Sequence, residues 1–197
     1  KTGMRIASQG ILNQDSEITF YFDSKPYKGF LGDTVASALL ANDVHLVGRS
    51  FKYHRPRGIL GIGSEEPNAL ISVHKGGRVE PNVRATVQEI YQGLIVTSQN
   101  SWPNLKFDAL AINDIAARFL SAGFYYKTFM WPPRFWETLY EPLIRRAAGL
   151  GRLDSKIDDD NYDQNFLFCD LLIIGGGPSG LLSALLTAKA GLDVILV

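Results

Sequence analysis

The chain has 197 residues, 46% of them hydrophobic and 20% charged, with 20 Lys+Arg balanced by 20 Asp+Glu and a single Cys. This ordinary globular composition excludes a disordered or low-complexity chain, and zero formal net charge gives no electrostatic drive for nucleic-acid binding. One cysteine can form neither an internal disulfide nor the thiolate set of an iron–sulfur cluster or zinc site. No uninterrupted apolar run reaches the roughly 18–20 residues of a membrane span. The start, Lys1-Thr-Gly-Met-Arg-Ile-Ala7, has no signal-peptide apolar stretch. A cytoplasmic location, with neither membrane nor nucleic acid as partner, is the resulting expectation.

In chain order, Ile18–Phe22 and Tyr27–Leu31 flank Asp23-Ser-Lys-Pro26, which predicts a hairpin. Asp33 or Thr34 then caps a short helix in which Val35, Ala38 and Leu39 share one face. Strands are predicted at Ala69–Val73, Val83–Val87 and Leu94–Thr97. A hairpin, a helix and further strands follow the β-grasp order.

From about residue 100 the texture becomes helical. Leu110, Ile115, Phe119 and Leu120 repeat near the helical period until Gly123, and Trp131-Pro-Pro133 opens a second helix continued by Leu139, Leu143 and Ile144. Pro142 should interrupt it. The polar stretch Asp154–Gln164, with Asp158-Asp-Asp160, reads as a solvated linker in preference to a metal site.

Asp170-Leu-Leu-Ile-Ile174 is the apolar run of a strand buried on both faces of a parallel sheet. Gly175-Gly176-Gly177-Pro178-Ser179-Gly180 follows at once and contains GxGxxG through Gly175, Gly177 and Gly180. The first glycine permits a tight strand-to-helix turn, the second lets a pyrophosphate approach the backbone, and the third lets helix and strand pack closely. Ala184 keeps the helix near the sheet, Gly191 ends it, and Leu192–Val197 begins a second strand. Main-chain N–H groups at the helix start would face the phosphates, and Gly175–Gly180 is the predicted cofactor-binding segment. The fingerprint serves NAD and FAD alike. The acidic ribose ligand belongs about 20 residues beyond the glycines, just past Val197, so an N-terminal piece of a longer polypeptide is expected.

The expected architecture is α+β followed by α/β. A cysteine-free, ferredoxin-like β-grasp domain occupies 1–98, a helical connector 99–166, and the first βαβ unit of a Rossmann domain 167–197. This order resembles the alpha subunits of heterotetrameric sarcosine oxidases. The resemblance is carried by Ser50-Phe-Lys-Tyr-His-Arg-Pro-Arg-Gly58, Ala122–Pro132, Tyr140–Gly149 and the glycine unit. It implies a complex with beta, gamma and delta subunits that oxidises sarcosine to glycine, with oxygen leaving as hydrogen peroxide and the methyl carbon as formaldehyde or 5,10-methylenetetrahydrofolate. It further implies NAD in this subunit, FMN and FAD in the complex, and tetrahydrofolate at the complex level. The segment itself would be non-catalytic, and no catalytic residue is assigned. The alternative is the equivalent subunit of an opine or other amine dehydrogenase, with FAD at the same fingerprint. Relatives with a ferredoxin-like domain carry cluster cysteines after Arg-Pro-Arg-Gly, where this chain has Ile59-Leu-Gly-Ile-Gly-Ser-Glu-Glu-Pro-Asn68. The expectation is therefore no iron–sulfur cluster.

Arg49, Lys52, His54, Arg55 and Arg57, interleaved with Phe51 and Tyr53, form a basic–aromatic cluster. Ion pairing within the protein is the favoured reading, a cofactor phosphate the sharper one, and single-stranded nucleic acid the least favoured. His45, His54 and His74 lack partners at metal-ligand spacing, so no metal site is expected. Cys169 reads as a small apolar residue, and Phe124–Trp131 as core or interface packing.

Overall fold

A computed structural model describes residues 5–6, 12–115, 117, 132–147, 150–151, 154–156 and 161–197. The chain divides into two compact units, Lys1–Ile157 and Asp158–Val197. Among the described residues no helix is long and apolar enough to cross a membrane.

The first unit is built on a five-stranded sheet. Strands β1 (Asn13–Phe22) and β2 (Lys25–Leu31) form the predicted hairpin, in register from Glu17↔Phe30 to Phe22↔Lys25. Its two-residue turn has Asp23 at φ 46° and Ser24 at φ 65°, both left-handed, as a turn matched to strand twist requires. Alternation along β1 sends Ile18, Phe20 and Phe22 into the core. Helix α1 (Val35–Ala41) follows. Its N-cap is Thr34, whose hydroxyl accepts from the Ser37 N–H while the Ser37 hydroxyl accepts from the Thr34 N–H. Val35, Ala36, Ala38 and Leu39 are buried, a slightly wider inward face than the sequence period predicts.

Short strands β3 (Gly48–Arg49) and β4 (Pro56–Arg57) pair antiparallel. Strands β5 (Leu70–Lys75), β6 (Arg78–Arg84) and β7 (Ile95–Ser98) complete the main sheet in the order β2-β1-β7-β5-β6. Strand β7 runs parallel to β1 and antiparallel to β5. The strand expected at Val83–Val87 lies earlier, because Arg78–Arg84 pairs with β5 while Val87 falls in a turn bonded to the Arg84 carbonyl. Pro81 is tolerated there because β6 is an edge strand. The core is one apolar cluster including Phe20, Leu39, Ile71, Val73, Ile90, Leu94 and Val96.

Beyond the sheet, a 3₁₀ turn at Ala109–Ala111, capped by Asp108, leads into α2 (Ile112–Ile115). Ile115 is 82% exposed, so the periodic pattern there does not face the core of this unit. Phe119, Leu120, Gly123, Phe124–Trp131 and Asp158–Asp160 lie outside the described residues. Residues Pro133–Phe135 form a 3₁₀ turn, Trp136–Tyr140 a π-helical turn and Glu141–Ala147 helix α3. Pro142 therefore does break the regularity: it sits at the start of α3, and a wide π turn precedes it.

In the second unit, β8 (Leu171–Ile173) and β9 (Val194–Leu196) pair in parallel, joined through α4 (Pro178–Lys189). Gly180, Ala184 and Thr187 are the half-buried positions along α4, a spacing of four and three that defines one inward stripe. Asp170 ties the start of the unit by accepting the Asp193 N–H at 2.9 Å.

Candidate functional site

The predicted cofactor segment spans the end of the β8–α4 turn, Gly175–Gly177, and the first turn of α4, Pro178–Gly180. Gly175 has φ +108° and donates to the Val197 carbonyl at 2.6 Å, so the first glycine occupies a left-handed turn that a side chain would strain. Gly177 is the N-cap of α4, with extended backbone and no side-chain cap bond, and Pro178 takes the first helical position. A Cβ on Gly176 or Gly177 would meet nothing within 4 Å, so the space in front of these peptides is open. A Cβ on Gly180 would lie 2.0 Å from the Gly175 carbonyl oxygen, so the third glycine is required by helix–strand contact. The open helix start offers uncapped N–H groups, the arrangement that suits a phosphate.

The basic–aromatic cluster separates into buried and exposed groups. Arg49 is buried and donates to the carbonyls of Leu105 (2.9 Å from Nε), His54 (3.0 Å) and Lys106 (3.2 Å). His54 is also buried, with Nδ1 2.7 Å from Asp108 Oδ2 and φ 53°, and among the described residues its Nε2 has no hydrogen-bond partner. Asp108 Oδ1 accepts the N–H groups of Trp102 and Leu110, both at 3.1 Å. Arg55 pairs with Asp114 at 2.6 Å on the surface, and its guanidinium stacks over the Tyr53 ring at 4.9 Å. Arg49 and His54 thus hold the turn together from inside, Lys52 is half-buried over the Tyr53 ring, and Arg55 and Arg57 are exposed.

The adjoining loop is organised by two carboxylates. Glu66 is fully buried and accepts N–H groups from Leu60 (2.8 Å), Gly61, Asn68 (2.8 Å) and Ala69 (3.2 Å). Burial alone would raise its pKa, but the N–H donors of Asn68, Gly61, Leu60 and Ala69 outweigh it and hold the carboxyl below its usual value. Glu65 accepts from Ile62 and Gly63 at 2.9 and 3.0 Å. Sequence reasoning missed both Glu66 and Asp108. His45 is exposed and 3.0 Å from Asp43, His74 is beside Thr97, and Cys169 is half-buried. Among the described residues no group of three or more His, Cys, Asp or Glu could hold a metal ion.

A protein of Rhizobium meliloti (strain 1021) named sarcosine oxidase subunit alpha is 58% identical over 193 residues, which is 98% of this chain and 20% of that protein. The chain is a relative of the sarcosine oxidase alpha subunits. A second relative of that name, from Corynebacterium sp. (strain U-96), is 30% identical over 94% of this chain and 15% of its own length. The chain therefore spans about a fifth or less of these alpha subunits. A solved structure, L-proline dehydrogenase from P. horikoshii, matches with a TM-score of 0.44 and 18% identity over 93% of this chain and 25% of its own.

Residues 15–101 match the family model of a 2Fe-2S iron-sulfur cluster binding domain. This match contradicts the expectation of no iron–sulfur cluster: it points to a domain of the iron–sulfur type over this stretch. That expectation weighed only the missing thiolates, whereas the match extends over residues 15–101. As for donors, Cys169 is the one cysteine of the chain and lies outside 15–101, and Glu65 and Glu66 in the adjoining loop are engaged by main-chain N–H groups. The matched residues themselves do not supply the thiolates such a cluster uses.

Proposed function

We propose that this chain is the N-terminal, NAD-binding part of the alpha subunit of a flavin-dependent sarcosine oxidase complex. The carrying observation is 58% identity to such a subunit over 98% of this chain. At the complex level the reaction converts sarcosine, water and oxygen to glycine, hydrogen peroxide and formaldehyde, or passes the one-carbon unit to tetrahydrofolate. Beta, gamma and delta subunits complete the complex, with FMN and FAD as its flavins. Residues 1–98 form the ferredoxin-like domain, 99–166 the connector and 167–197 the start of the dinucleotide-binding domain, all in the cytoplasm. In this reading the segment itself is non-catalytic.

The role of this chain's own groups is binding. The uncapped N–H groups at the start of α4 receive the pyrophosphate, Gly176 and Gly177 leave room for it, and Gly180 sets the helix against β8. Open space at Gly177 and the lack of a side-chain cap support that reading. The bound dinucleotide stabilises the subunit and leaves the redox chemistry to the flavins.

The test uses the full-length gene product co-purified with its partners. The expected result is sarcosine-dependent hydrogen peroxide formation and release of NAD, FMN and FAD on denaturation, identified by mass spectrometry with iron measured alongside. FAD without NAD would reassign the glycine segment to a flavin and overturn the NAD assignment. Lack of turnover with sarcosine, alongside turnover of another secondary amine, would overturn the substrate.

A further inference from the structure

We propose that Gly151 and Asp154–Lys156 guard the outer edge of the main sheet, taking the places on β6 where the same edge of a second copy of this chain would pair. This device does not depend on which reaction the complex performs. Strand β6 ends the order β2-β1-β7-β5-β6, so among the described residues one of its sides has no strand beside it. Such an edge invites another strand unless something covers or breaks it.

The register shows which groups of β6 point outward. Lys75 and Arg78 pair across the Gly76–Gly77 turn, and His74 stands opposite Val79. In a two-residue hairpin the pair flanking the turn exchanges hydrogen bonds and the next pair does not, so the N–H and carbonyl of Val79 face away from β5. That N–H donates to Asp154 Oδ2 at 3.1 Å. Two residues on, Pro81 has no N–H to offer. At the turn, the Gly77 carbonyl accepts from the Lys156 ammonium. Asn82, at φ 61°, accepts the Gly151 N–H on Oδ1 at 3.0 Å and donates from Nδ2 to the Gly151 carbonyl at 3.5 Å. A carboxylate thus stands where an added strand would present a carbonyl, and an ammonium where it would present an N–H.

Position is fixed as well as chemistry. Asp154 Oδ1 accepts the Lys156 N–H at 3.1 Å, which sets the two side chains against each other. A Cβ on Gly151 would lie 2.2 Å from the Pro81 Cβ, so the chain lies directly against the strand there. Asp154 and Lys156, which composition places at the head of a solvated linker, therefore belong to the edge of the sheet. Uncovered, that edge is complementary to itself. An antiparallel pair of copies centred on Val79 joins the two Val79 peptides and sets Arg78 of each copy opposite Glu80 of the other. The Lys75–Glu80 pair, 2.8 Å apart with both side chains more than half exposed, is of the kind that exchanges partners at little cost.

The test uses the full-length gene product co-purified with its partners and compares it with an Asp154→Ala/Lys156→Ala double variant. Hydrogen exchange at Val79 is read at low concentration, and mass by sedimentation over a concentration series. The expected result is exchange at Val79 faster by about tenfold or more, and a doubling of mass at high concentration that the wild type does not show. Adding Val79→Pro, which removes an outward N–H but no ladder bond, or Glu80→Arg, which sets like charges opposite, should restore the wild-type mass. Unchanged exchange at Val79 overturns the guarding contact. Faster exchange with unchanged mass at every concentration means that Pro81 protects the edge by itself, and doubling that survives both added substitutions means that another surface associates. Either result overturns the proposal.

Discussion

Replacing Glu66 with Gln tests whether one buried carboxylate organises the loop from Leu60 to Ala69. Oε2 accepts from Leu60 and Gly61, and Oε1 from Asn68 and Ala69. A glutamine keeps one acceptor oxygen and turns an NH₂ donor toward the other two N–H groups, which are left without an acceptor. Two buried orphans at about 1–3 kcal/mol each, with the two remaining bonds no longer charge-assisted, give a loss of about 4 kcal/mol. For a unit of this size the melting temperature should fall by about 8–16 °C. Acid should erase the difference. The folded carboxyl lies below the usual 4.5, so its contribution is complete above that value and disappears as pH falls through the folded pKa. Thermal unfolding at pH 7 and along a descending acid series, with hydrogen exchange at Leu60, Gly61, Asn68 and Ala69, measures both effects. A shift under about 2 °C at neutral pH, with those amides still protected, would refute the account of the loop.

Gly180→Ala should force α4 away from β8, because its methyl would sit 2.0 Å from the Gly175 carbonyl oxygen. A loss of about 1–3 kcal/mol and of bound dinucleotide is expected, read by urea unfolding and cofactor release. Gly177→Asp fills the open space with a negative charge and should abolish dinucleotide retention and complex stability together, as measured by mass spectrometry and sedimentation. Asp108→Ala uncovers the buried His54 ring and the N–H groups of Trp102 and Leu110, and should cost about 3–5 kcal/mol in urea unfolding. His54→Asn keeps a donor toward Asp108, suits the left-handed backbone and removes the unpartnered nitrogen. It should cost clearly less than Asp108→Ala, and an equal or larger loss would contradict the pairing.

The hairpin at 18–31 was legible because alternation and a turn signal agree, and the Gly175–Gly180 turn because three glycines stand where backbone sterics demand them. Strand β6 was misplaced. Its sequence, Arg78-Val-Glu-Pro-Asn-Val-Arg84, lacks alternation, and a register shift opposite Ser72 seats Asn82 at φ 61°, where one extra residue breaks the period. Glu66 was hidden because a glutamate between another glutamate and a proline reads as solvated surface, and its acceptor role depends on a loop that closes around it. Asp108 lies 54 residues from His54, a pairing that no local pattern announces. The ferredoxin-like character of the first stretch was legible in its hairpin, helix and strand order, but the missing cysteines led the reading to exclude the cluster type to which the match over residues 15–101 points.

The placement of β7 has a consequence for biosynthesis. This strand is the last of the five to be made, yet it lies in the middle of the sheet, pairing Tyr21 with Ile95 on one side and Val73 with Val96 on the other. The β1–β2 and β5–β6 hairpins can form as they leave the ribosome, but they share no edge until Ile95–Ser98 arrives between them. At about 5–20 residues per second, the first hairpin waits several seconds with Phe20 and Phe22 uncovered. Closure is then a single late event across a long loop, which places this unit among the slower folders and makes the nascent chain before residue 98 a natural client for chaperones.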